Sequence, residues 1–237
     1  MRELSIGDEI ALCHLPPTAH EKALSEFLER AVESAGTPSA RHVADPRAWT
    51  VSERLLALAH YCIHTRDDAP DYAVTDVSKL SDYLDAARDL PATGATFSAI
   101  DDEWELRPLT GAAAEAIEAL QFESTLKGRE HWLMGFMAAQ LARKGEETPD
   151  SVADGADYVT WLDNRIGVMR SLPSSGFDQL YAGYRAALEK DTQFFRIWFD
   201  EQGVIVFPKE AGAATPPARF LVHSCIGELA LSISGKS

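Results

Sequence analysis

A chain of 237 residues with 37 acidic and 22 basic side chains carries a formal charge of −15, which argues against a nucleic-acid groove, where clustered Lys and Arg are needed. The same charge disfavours an anionic membrane, and no run reaches the roughly 18 apolar residues of a membrane span. With 46% hydrophobic residues the chain can bury a core without the help of disulfides.

The first ten residues mix Arg2, Glu3, Asp8 and Glu9, so no apolar secretion signal is expected. Three widely spaced cysteines do not read as a disulfide framework, and a reducing compartment is the expected one. Ser5 to Cys13 reads as a short helix with Ile6, Ile10 and Leu12 near one side, ended by Pro16 and Pro17. Thr18-Ala-His-Glu21 has the form of a capping box, Thr at the cap and Glu three residues on. The helix behind it has a one-sided stripe of Ala23, Leu24, Phe27, Leu28, Ala31 and Val32, with Gly36 as its stop and a loop over 37–49.

A second box, Thr50-Val-Ser-Glu53, opens a helix whose buried face is Val51, Leu55, Leu58, Ala59 and Cys62. Glu53, Ala57, His60 and His64 fall on another side. Residues 65–76 read as an acidic irregular connection, followed by a short helix around 80–87. Phe97, Ala99, Trp104 and Leu106 alternate as a hairpin should, turning at Asp101-Asp102. Pro108 ends the second strand and Thr110 caps an alanine-rich helix running to about Phe122.

Helices are further predicted over 129–143, around 158–169 and over 177–188, with Ser175 as a cap for the last. Residues 195–207 change period and read as a β-hairpin turning at Gly203. After a Pro/Ala/Gly linker, 219–233 reads as strand or helix in its first half and as helix in its second. The predicted class is α+β, mainly helical, with a small antiparallel sheet or hairpins. Residues 145–156 are the best boundary, between a helical part with a hairpin (1–145) and helices plus hairpin and tail (156–237). The two halves are compatible with packing as one domain.

The chemistry to be found is sparse. His60 and His64 have the outer spacing of a zinc-peptidase helix, but Tyr61 stands where that motif needs a glutamate base. No peptidase activity, and no enzyme activity of any kind, is expected. Each cysteine has a histidine within two residues. If 219–225 is a strand, His223 and Cys225 face one side and could join Cys13 as three metal ligands; buried, unliganded cysteines are the competing reading. Asp67-Asp68 and Asp101-Asp102-Glu103 read as solvated acidic turns rather than calcium loops. No cofactor is expected. In the 195–207 hairpin Trp198 lies opposite Phe195, Ile197 and Phe199, a pattern that serves core packing or, through the second face, a protein contact. Trp198, His60 and His64 are the candidate partner-binding residues.

The opening Met1-Arg-Glu-Leu-Ser-Ile-Gly-Asp-Glu-Ile-Ala-Leu-Cys13, the helix start Trp49-Thr-Val-Ser-Glu-Arg54 and Trp104-Glu-Leu-Arg-Pro-Leu-Thr-Gly111 resemble proteins encoded among the tail genes of tailed bacteriophages. The nearest group is the baseplate and tail-assembly proteins, similar to the baseplate hub proteins of contractile-tailed phages. The likeness is scattered over roughly 1–140, and its positions are caps, strands and core, so no functional residue carries over. It implies a structural component near the tail tip or an assembly helper. Its partners would be other tail or baseplate proteins or copies of itself, met in the host cytoplasm during assembly and, for a component, in the virion tail. An acidic host-directed binding or inhibitory module and a metal-dependent enzyme using His60 and His64 are the alternatives.

Overall fold

The computed structural model describes residues 1–32, 45–89, 94–122 and 125–235. The predicted stop at Gly36 and most of the loop over 37–49 lie outside them. The fold is α+β and mainly helical, 50% helix and 13% strand, with three small antiparallel sheets.

Two of the helix starts read from the sequence form as expected. In α1 (Ile6–Cys13) the Ser5 hydroxyl accepts from the Asp8 amide while the Asp8 carboxylate accepts from the Ser5 amide. In α3 (Val51–Thr65) Thr50 and Glu53 exchange the same pair of bonds. Each box satisfies two otherwise orphaned N–H groups. The face of α1 differs from the sequence reading, since Leu12 and Cys13 are buried while Ile6 is exposed.

The box read at Thr18 does not form. Helix α2 (His20–Ala31) starts one residue later with Ala19 at its cap, and no side chain of its own caps it. A carboxylate from elsewhere does that work, which leaves Glu21 free to turn into the core.

Helix α4 (Gly111–Leu120) begins at Thr110, whose hydroxyl accepts from the Ala113 amide. The starts of α3 and α4 lie side by side: the Val51 amide donates to Leu109 and the Gly111 amide to Trp49, closing an antiparallel bridge between Thr50 and Thr110. Two segments 60 residues apart in sequence thus share one hydrogen-bonded seam.

Between α3 and the main sheet, a small hairpin of β1 (Ala73–Thr75) and β2 (Ser78–Lys79) and a single 3-10 turn, Leu80–Asp82, replace the expected irregular stretch and short helix. Buried Leu80 and Tyr83 anchor it, the Tyr83 hydroxyl bonding Ser78 and the Pro216 carbonyl. The expected hairpin follows as β3 (Thr96–Ala99) and β4 (Asp102–Leu106), with Phe97 opposite Trp104. It turns at Ile100-Asp101, one residue earlier than read, with both residues at positive φ, as a tight two-residue turn requires.

Helix α5 (Gly128–Gln140) stops three residues short of its predicted end, because Leu141–Arg143 forms a third strand, β5, against β4. Leu106 needs an edge partner there, and Leu141 supplies it. Helices α6 (Gly155–Ser171) and α7 (Ser174–Lys190) follow, α6 packing on α5 and α7 on β3. Ser175 lies inside α7 and Pro173 takes its cap position. The last hairpin, β6 (Arg196–Phe199) and β7 (Val204–Phe207), turns through Gly203 at φ 129°. Beyond it 222–225 is a 3-10 turn, and α8 (Glu228–Ile233) packs on α1. One cluster of buried side chains runs from Leu4 to Ala230, so residues from both sides of 145–156 share a core.

Candidate functional site

Arg54 is wholly buried on the inner face of α3. Its guanidinium donates to the Glu21 carbonyl at 2.9 Å and the Ser25 hydroxyl at 2.6 Å, and lies 3.4 Å from the Glu21 carboxylate. Glu115 of α4 stands 3.9 Å away, and itself pairs with Arg47 at 3.3 Å and with Ser25. Gly111 is required beside this group, since a Cβ there would overlap the Arg54 side chain.

Glu118, also buried, completes the cluster. Its two carboxylate oxygens accept from the Glu21 amide at 2.9 Å and the Lys22 amide at 3.1 Å. This is the cap of α2, supplied by α4 across 97 residues of chain. Burial, and then the neighbouring Glu21, push the Glu118 carboxyl up to about 7, against the pull of the backbone amides. Burial also raises Glu21, opposed by Arg54. The cluster therefore ties α2, α3 and α4 to one another through charge, and its protonation changes near neutral pH. The sequence signal for it was present: Arg54 falls in phase with Val51 and Leu58, and Glu118 with Ala114, so each interrupts an apolar stripe.

His60 and His64 are exposed on α3, as read, with their Nε2 atoms 3.3 Å apart. Trp198 does not present a second face to solvent. It is 4% exposed, stacked on Phe199 at 4.4 Å between ring centres, with the Arg185 guanidinium 4.5 Å from its own ring centre. Helix α7 covers the hairpin there, so Trp198 serves the core. His131 is a further buried histidine, its Nε2–H donating to the Ile117 carbonyl at 2.7 Å.

The cysteine arrangement also differs. Cys62 and Cys225 form a disulfide with Cα atoms 6.1 Å apart, pinning the C-terminal segment to α3, while Cys13 is free and buried. Cys225 is thereby not a metal ligand, and its segment is a 3-10 turn rather than the strand that would have aligned it with His223. Among the described residues no group of three His, Cys, Asp or Glu side chains could hold a metal ion. Cys13 and His223 both line an apolar pocket of about 530 Å³. Leu12, Pro16, His20 and Phe220 line it too, so it lies between the end of α1, the start of α2 and the segment held by the disulfide.

A second cleft, of about 360 Å³, opens where α6 faces the sheet. Trp104 and Trp161 line it, each with a guanidinium near its ring: Arg143 at 5.5 Å and Arg165 at 5.2 Å. Both arginines are held by acids, Arg143 by Asp102 at 2.9 Å and Arg165 by Glu146 at 2.5 Å. Sequence reading missed this cleft because Trp104 and Trp161 each look like ordinary core residues within their own elements.

Several large apolar side chains among the described residues are exposed. Ile6 lies on α1 and Leu229 and Ile233 on α8, which packs against it, while Leu221 lines the larger pocket. No protein-family model, curated protein or solved structure matches this chain.

Proposed function

We propose that this chain is a tail or baseplate protein of a tailed bacteriophage, working through protein–protein contacts as a structural component or an assembly factor. The observations that carry the contact surface are the packed pair α1 and α8, which leaves Ile6, Leu229 and Ile233 exposed, and the 530 Å³ apolar pocket at the end of α1. Exposed apolar side chains and a concave apolar pocket are what a partner's anchor residues need. The phage assignment rests on the resemblance of 1–13, 49–54 and 104–111. Two of these segments meet at the Thr50–Thr110 bridge. The charge of −15 favours a partner with a basic rim around its apolar contact.

Quantitative mass spectrometry of purified particles and of tail-assembly intermediates, from the phage encoding the chain, tests this. A fixed copy number in mature particles identifies a component; presence in intermediates alone identifies an assembly factor. Absence from both refutes the proposal. The charge also supports a second reading, an acidic module that engages a basic host protein. That complex would weaken steeply with added salt, whereas an apolar-cored contact would not.

A further inference from the structure

We propose that His60 and His64 chelate a single zinc ion on the outer face of α3, leaving two coordination positions open to water or to donors of another molecule. Residues four apart on a helix lie one above the other on the same face, so the two imidazoles are neighbours by construction. Their Nε2 atoms are 3.3 Å apart, with ring centres 4.5 Å apart. Two zinc–nitrogen bonds of about 2.0–2.1 Å at the tetrahedral angle place their nitrogens roughly 3.3–3.4 Å apart, the separation the two Nε2 atoms already have. In the metal-free pair one Nε2–H donates to the other Nε2. Zinc replaces that shared proton, and the donor ring takes its proton on Nδ1 instead, so both lone pairs face the ion.

Three features favour this site over the thiol-bearing one. Both rings are solvent-exposed, so the ion needs no entry path. The surrounding protein carries a charge of −15, which draws cations to its surface. Cys225, the ligand the sequence suggested elsewhere, is engaged with Cys62. Among the described residues no third donor joins the histidines, which fixes the site as bidentate and open. Zinc prefers four ligands, so an open site of this kind can be completed by a second molecule.

The test is equilibrium dialysis of the full chain, disulfide intact, against zinc chloride in a non-chelating buffer near neutral pH, with His60→Ala, His64→Ala and His20→Ala alongside. One zinc per chain is expected for the wild type and for His20→Ala. Affinity should fall at least about tenfold in each of the other two, since a lone imidazole loses the chelate advantage. Urea midpoints in excess EDTA should be the same for the wild type, His60→Ala and His64→Ala, because both rings are exposed. Zinc should raise the midpoint of the wild type only among these three. Unchanged binding in His64→Ala, or no binding by the wild type at millimolar free zinc, overturns the assignment.

Discussion

Replacing Arg54 with methionine tests whether the buried charge cluster holds α2, α3 and α4 together. At an effective dielectric constant of about 20, a guanidinium 3.4 Å from one carboxylate and 3.9 Å from another contributes roughly 4–5 kcal/mol with each. Returning the arginine to water in the unfolded chain offsets several kcal/mol of that, and a buried methionine regains about 1.5–3 kcal/mol of apolar transfer. Glu21 is left without its charge partner while Glu115 keeps Arg47, so a net loss of about 3–5 kcal/mol is expected at pH 8. The loss should shrink on acidification. Without the arginine the folded-state carboxyls of Glu21 and Glu118 rise further, so the variant takes up protons on folding at a higher pH than the wild type. Each such proton changes the stability difference by about 1.4 kcal/mol per pH unit while it titrates. Urea unfolding at pH 8 and pH 5.5 reads both effects as midpoint shifts at constant slope. An Arg54→Met protein as stable as the wild type at pH 8 would refute the reasoning, and show that the cluster costs as much as it returns.

Three further outcomes follow from the same geometry. Glu118, raised to about 7 in the fold from an ordinary 4.5, is an acid whose folded pKa exceeds its unfolded one. Stability therefore falls as pH rises from about 4.5 through 7, by roughly 3 kcal/mol from this group, and Glu118→Gln should flatten that part of the profile. A wild-type profile that is flat from pH 5 to 8 contradicts this. The Cys62–Cys225 bond spans a sequence separation of 163, for which loop-closure entropy gives an upper figure of about 5 kcal/mol. Cys225→Ser should lose about 2–5 kcal/mol against oxidised wild type, and the two proteins should converge in reductant; a difference indifferent to reductant would contradict the pairing. Gly135→Ala would put its Cβ 2.6 Å from Cγ2 of the fully buried Ile117, where α4 meets α5. An overpacking cost of about 1–3 kcal/mol should appear in the urea midpoint, and an unchanged midpoint would mean the two helices separate freely.

What the sequence disclosed, and what it hid, divides by the range of the interactions. Thr50 and Thr110 act on amides within three residues, and Trp104 and Leu106 alternate along one strand, so local pattern is enough to find them. The α2 cap failed because a carboxylate from α4 outcompetes the local Thr18, a choice only tertiary structure makes. Helix α5 was read too long for a similar reason: Leu141 has helical phase in sequence but is claimed by the edge of β4. Trp198 was read as a candidate contact because alternation puts it opposite Phe195 and Phe199, while the helix that buries that face lies outside the hairpin. The pairing of Cys62 with Cys225 likewise depends on where α3 meets the C-terminal turn. His60 and His64 were found where the helical phase placed them, and their spacing is a local property.

The proposed role in building a phage tail is tested by deleting the gene from the phage that would encode this chain. Electron microscopy of the lysate should show filled heads without complete tails, restored by supplying the wild-type chain from a plasmid. Complete, infectious particles at undiminished titre from the deletion phage would rule the proposed role out.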